Sequence, residues 1–174
     1  MDPLKYIVPG RKRLPYGMMN FADIRQDNYY YVDKTRFIPM IEEADRFFFF
    51  IRPRRFGKSL LLSTVQAYFE GKKDLFKGLA IEQLETDWQP HAVLKLSLAS
   101  YNPSGNGNLE EILDTQFREW EKGYDVETVS PDFSSRFRNV IMAAYNSTGH
   151  PVVILVDEYD NPLISNMHAK NRLE

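Results

Sequence analysis

The chain has 174 residues, enough for one domain with a substantial core, and a formal net charge of −2. That balance gives no global electrostatic reason to bind nucleic acid or an anionic membrane, so any basic surface must be local. The absence of cysteine excludes disulfides, thiolate metal sites and a cysteine nucleophile. With no apolar leader and no apolar run of membrane-spanning length, the expectation is a cytoplasmic protein.

Residues 1–28 are rich in proline, glycine and charge, with the basic triplet Arg11-Lys12-Arg13, and read as an irregular N-terminal arm ahead of a domain over 29–174. Residues 29–32 read as a short strand, after which Asp33 can cap a helix carrying Phe37, Ile38 and Ile41. Pro39 sits badly inside that helix and predicts a kink or a late start. The run FFFFI (47–51), bounded by charge before and proline after, reads as a strand buried on both faces of a parallel sheet. A helix follows from 58 to 69, stopped by Gly71, and then a short helix and turn over 72–79. A second strand is expected over 92–100. Apolar residues at 109, 112, 113, 117 and 120 mark a helical stripe. After Pro131 another helix places Phe133, Phe137, Val140 and Ala144 on one face and ends at Gly149. Residues 151–156 read as a third buried strand. Strands alternating with helices define an α/β domain with a mostly parallel sheet.

The stretch RPRRFGKS (52–59) falls between the first apolar run and the first long helix, the context that a phosphate-binding loop requires. Phosphate recognition needs backbone N–H groups, a helix N-terminus and a cation converging on one point. The candidate cradle is Arg54, Arg55, Phe56, Gly57, Lys58, Ser59 and Leu60. Lys58 is placed to reach the β- and γ-phosphates and the Ser59 hydroxyl to ligate Mg²⁺. Arg52 stands where the usual loop has its first glycine, and Pro53 stiffens the same turn, so the loop is expected to hold its curve by side-chain packing and not by glycine freedom. Taken alone, Gly57-Lys58-Ser59 reads as a basic turn as readily as a nucleotide site. The second motif changes the balance. VVILVDEYD (152–160) is an apolar strand ending in Asp157-Glu158, the pattern in which the aspartate holds Mg²⁺ and the glutamate polarises an attacking water. Both motifs follow apolar strands, and ligands in open parallel sheets lie at the carboxyl ends of strands. The pair therefore points to ATP and Mg²⁺ as cofactors, with Glu158 as the catalytic residue and Ser59 and Asp157 as the metal ligands.

Three stretches in combination, LPYGMMNFADIRQDNYYYVDKTRFI, RPRRFGKSLLLSTVQAYFEGKKDLFKGLAIE and ILVDEYDNPL, resemble the AAA-ATPase-like domain of uncharacterised bacterial proteins. The resemblance covers residues 14 to 165. It implies a P-loop NTPase-like three-layer sandwich, and it implies that Arg52 is the family's own form of the loop. It also implies a restriction-endonuclease-like domain further on in many members, and it sets YVDKT (31–35) near the adenine. Measured against that family, the sheet is expected to be incomplete at its C-terminal end, which favours self-association through an exposed edge. Other features carry less. Arg54 and Arg55 either clamp phosphate or nucleic acid or pair with acids such as Asp157 and Asp160. Arg11-Lys12-Arg13 reads as a solvated arm more readily than as a nucleic-acid contact. His91, His150 and His168 are scattered without ligand spacing, so no transition-metal site is expected. The remaining alternative is a non-catalytic assembly module that keeps the loop as a structural turn.

Overall fold

The Asn20 side chain accepts a hydrogen bond from the Ala22 N–H, and that cap starts helix α1 (Phe21–Gln26) inside the stretch that read as an irregular arm. Phe21 and Ile24 are fully buried, so this segment belongs to the core. The computed structural model describes residues 11–44, 47–53, 55–102, 107–127 and 132–170, the last five by backbone alone. The chain falls into two compact units, Met1–Tyr68 with Lys72–Trp88 and Phe69–Gly71 with Gln89–Glu174.

The first unit is helical among its described residues. A 3-10 turn (Thr35–Phe37) runs into α2 (Ile38–Glu42), where Pro39 occupies the first turn and its missing N–H leaves no bond unmade. No strand forms over 29–32. Instead the Tyr29 N–H donates to the Ile24 carbonyl and the Tyr30 N–H to the Arg13 carbonyl. Helix α3 (Lys58–Phe69) has the predicted bounds. It ends as the sequence requires: Gly71 takes φ +69°, and the Lys72 N–H reaches back to the Ala67 carbonyl, closing the last turn. A second 3-10 turn (Lys73–Phe76) and the short α4 (Ile81–Leu84) complete the unit. Its core is aromatic: the Phe76 ring lies 4.9 Å from that of Phe21 and 5.1 Å from that of Trp88. The Tyr68 hydroxyl sits between the carboxylates of Glu42 and Glu85, and burial together with these two acceptors pushes it well above the usual tyrosine range.

Asp33 and Thr35 have a structural task. Asp33 accepts from the Thr35 N–H (2.8 Å) and hydroxyl (2.7 Å) and from the Ala80 N–H (2.7 Å). The Thr35 hydroxyl oxygen accepts in turn from the Ile81 N–H at 3.1 Å. Two segments 46 residues apart in sequence are thereby clamped at a buried threonine. Burial alone would raise the Asp33 carboxyl. The bonds from Ala80 and Thr35, with the nearby Arg25 charge, outweigh it and hold the group below its ordinary value.

The second unit contains the sheet. Strands β1 (Val93–Ser97) and β2 (Val153–Asp157) pair in parallel, in register from Val93 opposite Val153 to Ser97 opposite Asp157. Between them come α5 (Leu109–Gly123), capped by the Asn108 side chain, and α6 (Phe133–Thr148), capped by Asp132 and terminated by Gly149. Helix α7 (Asn161–Lys170) follows β2. Helices α5 and α6 are joined by Arg136, which is buried and donates to both oxygens of buried Glu121 (2.7 and 2.9 Å) and to Asp114 (2.6 Å). These bonds hold Arg136 protonated far beyond the usual range and hold the Asp114 carboxyl below its own.

Two further strand expectations need correction. Residues 47–51 lie outside the sheet, and Phe47, Phe48, Phe49 and Ile51 are exposed. The strand at 153–157 is not buried on both faces, because Leu155 is covered while Ile154 and Val156 remain open. The fold among the described residues is thus mixed α/β with one two-stranded parallel sheet.

Candidate functional site

The loop ahead of α3 holds its curve by backbone conformation and not by the expected side-chain packing, since Pro53, Arg55 and Phe56 are exposed. The Phe56 N–H donates to the Pro53 carbonyl at 3.4 Å, and Arg55 and Gly57 both take left-handed conformations, at φ +67° and +74°. A non-glycine residue in that region costs about 1–2 kcal/mol, so Arg55 carries strain that the surrounding turn must hold. At Gly57 the space a Cβ would occupy is open, so within the chain it is the left-handed conformation and not crowding that selects glycine. Arg52 departs from the expected glycine without breaking this turn, and its guanidinium lies 5.7 Å from the Phe50 ring centre.

Helix α3 begins directly after Gly57, whose carbonyl accepts from the Leu61 N–H at 2.9 Å. The N–H groups of Lys58, Ser59 and Leu60 are therefore first-turn donors with no acceptor among the described residues. Lys58 and Ser59 are half-buried, and Arg55 and Phe56 are exposed. Neither Lys58 nor Arg55 forms an ion pair among the described residues. Arg54 lies outside them. Helix α3 is itself held in place: the Ser63 hydroxyl oxygen accepts from the Phe21 N–H at 2.9 Å, and the Thr64 hydroxyl lies 3.4 Å from that of Tyr31.

The acidic pair belongs to the other unit. Asp157 ends β2, half-buried, its backbone carbonyl accepting from the Leu98 N–H and one carboxylate oxygen from the Glu158 N–H, both at 3.0 Å. Glu158 turns the chain with φ +54° and leaves its carboxylate exposed. Its carbonyl then accepts from the Asn161 N–H, which opens α7. The Asn161 amide donates to the Leu98 and Ala99 carbonyls at 3.0 and 3.3 Å, tying the start of α7 to the end of β1. The sequence carried a signal for this helix in Asn161-Pro162, a polar residue and a proline at the start of an apolar stretch. Ser63, Thr64 and Thr35 had no comparable signal, because their roles depend on distant partners.

The donors suit the implied groups. In the first unit, first-turn N–H groups beside a lysine fit an anion, and the Ser59 hydroxyl is a hard oxygen donor of the kind Mg²⁺ takes; in the second unit, the Asp157 carboxylate is another such donor. No cluster of three or more histidine, aspartate or glutamate side chains that could hold a metal ion occurs among the described residues. No helix of the described residues is long and apolar enough to cross a membrane.

A fold of this class, with this loop leading into its helix, agrees with what comparison shows: the chain belongs to the family described as Predicted AAA-ATPase, which matches residues 15–174. It is 38% identical over 159 residues to the "Uncharacterized protein in vnfD 5'region" of Azotobacter chroococcum mcd 1, covering 90% of this chain and 31% of that protein. The chain thus spans about a third of that relative's length. No solved structure matches.

Proposed function

We propose that this chain is the nucleotide-binding part of an AAA-like ATPase, a P-loop NTPase-like domain of three-layer type in which the segment of α1 joins residues 29–174. In this reading it takes Mg·ATP through Arg54 to Leu60 and through Asp157. The observation that carries the reading is the turn at Arg55–Gly57, which leads into α3 with Lys58 and with N–H groups at 58–60 that have no acceptor among the described residues. In this assignment the N–H groups of Lys58, Ser59 and Leu60 bind phosphate oxygens, and Lys58 neutralises their charge. Ser59 would be the metal ligand offered by the loop and Asp157 the one offered by β2, while Glu158 would orient and polarise the attacking water. When bound, Mg²⁺ supplies charge neutralisation across the phosphates. Hydrolysis belongs to this reading only for a complete ATPase of the family, with the cytoplasm as its place.

Calorimetric titration of the chain with Mg·ATP tests the site. Binding is expected for the native sequence and none for Lys58→Ala. Equal binding by the two would remove the loop from the site. In a longer parent, Glu158→Gln should retain nucleotide and lose turnover.

A second reading, self-association, is supported by the exposure of Phe47 and Ile51. Sedimentation velocity over a range of concentrations tests it, and a monomer throughout would dismiss it.

A further inference from the structure

We propose that His91 and His150 form a binding site for a divalent transition-metal ion at the amino end of the β1–β2 pair. The sequence separates these residues widely, and parallel pairing brings them together. His91 lies just before β1 and His150 just before β2, and the register Val93 opposite Val153 carries both to the same end of the sheet. Their ring centres are 5.4 Å apart, with the planes inclined at 47°.

The backbone at both positions is fixed. The His91 N–H donates to the Phe69 carbonyl, and the Val153 N–H to the Ala92 carbonyl. The His150 N–H donates to the Thr148 hydroxyl oxygen at 3.2 Å. The His91 ring is oriented too. Its Nδ1 lies 2.9 Å from the Pro151 carbonyl oxygen, which can only accept, so Nδ1 carries the hydrogen. In the neutral ring Nε2 then keeps its lone pair. This is how metal-binding histidines are generally held, with one nitrogen donating to a carbonyl and the other free for the ion. The Phe69 ring stands edge-on to His91 at 5.6 Å and supports it from one side.

The spacing agrees with a shared ion. An imidazole bound through one nitrogen has its centre roughly 3 Å from zinc, so two rings on one tetrahedral ion have centres about 5 Å apart. Neutral imidazoles select Zn²⁺, Ni²⁺ or Cu²⁺ over Mg²⁺ or Ca²⁺. No third histidine or carboxylate joins them among the described residues, so water completes the coordination. Both residues are half-buried and accessible from solvent. Asp157 closes the far end of β2, roughly 13 Å along the strand, so the metal site stands independently of the nucleotide reading.

The experiment is a calorimetric titration of the chain with Zn²⁺ in a His168→Gln background, which removes the remaining imidazole. One equivalent should bind, and His91→Asn or His150→Asn should each weaken binding about tenfold or more. Unchanged Zn²⁺ affinity in either variant, or no binding by the parent, would overturn the site. Pulsed electron paramagnetic resonance of Cu²⁺ on the same parent, which requires neither variant to fold, should report two equatorial imidazole nitrogens. Fewer than two would overturn it equally.

Discussion

Leu94 has no exposed surface and Phe47 keeps 82% of its own, although the runs that contain them both read as strands. The difference lies in the partner. Residues 93–97 meet 153–157 in parallel register, and two bonds carry the ladder past its ends, from the Val153 N–H to the Ala92 carbonyl and from the Leu98 N–H to the Asp157 carbonyl. Residues 47–51 lie outside that sheet. Apolar content states how favourable burial would be, while strand formation is a property of pairs, because backbone groups leave water only when another strand receives them. Stability should therefore be concentrated where partners are present, and the two tryptophans allow that to be measured. Trp88 belongs to the first unit and Trp120 to the second, so Trp88→Phe leaves a fluorescence probe of the sheet-bearing unit alone.

The largest effect is expected at Arg136. It is 5% exposed and bound to Glu121, which is 4% exposed at the side chain. Breaking a buried pair of this kind costs about 3–5 kcal/mol, because the other charge is left uncompensated. Arg136→Ala should show that loss in urea unfolding read by Trp120, and Arg136→Met with Glu121→Leu should recover a large part of it. A loss under about 1 kcal/mol for the single variant would mean that the α5–α6 link is not a stabilising centre. Leu94→Ala comes next, at about 3 kcal/mol for a fully buried leucine, read by the same probe. If the sheet is as marginal as two strands alone would be, that loss will be far smaller and the contrast with 47–51 will weaken.

Much of this arrangement was legible beforehand, and the pattern of success has a physical cause. Helix α3, the stop at Gly71 and the helices over 109–123 and 133–148 depend on local signals, namely spacing, caps and glycine, and the structure follows them closely. The strand positions at 93–97 and 153–157 were legible for the same reason. Which apolar run pairs with which was not, because register is set between segments distant in sequence. Helix α1 went unread because Phe21 and Ile24 give too short a stripe to stand out from a proline- and glycine-rich stretch. At the candidate site the residue types of the loop were plain, whereas the left-handed Arg55 and the anchoring of α3 by Ser63 were not. A φ angle and a contact 42 residues away leave no local trace.

The clamp at Asp33 gives a smaller, pH-dependent effect within the first unit. Asp33→Asn should cost about 1 kcal/mol near neutrality, the worth of charge-assisted bonds discounted for an exposed carboxylate. The sign follows from the lowered folded value. The Asp33 contribution is complete above its ordinary value of 3.8 and is lost as pH falls through the lower folded value. The native chain should therefore lose stability more steeply than Asp33→Asn below about pH 4, as followed by thermal unfolding of Trp88 fluorescence in a Trp120→Phe background. Parallel curves would show that the carboxylate contributes nothing to the clamp and that Thr35 carries it alone.

The smallest effect on stability belongs to the exposed run. Phe47 and Ile51 keep 82% and 79% of their surface, so replacing them removes almost no buried area. Phe47→Ser with Ile51→Ser should change unfolding stability by no more than about 0.5 kcal/mol, as for other surface substitutions. The pair should also reduce any concentration-dependent association, since a contiguous apolar surface is what such association would use. A loss above about 1.5 kcal/mol in a dilute, monomeric sample would require these side chains to be buried within the chain. That outcome would erase the distinction between the two runs, because 47–51 would then hold the first unit together much as Leu94 and its neighbours hold the second.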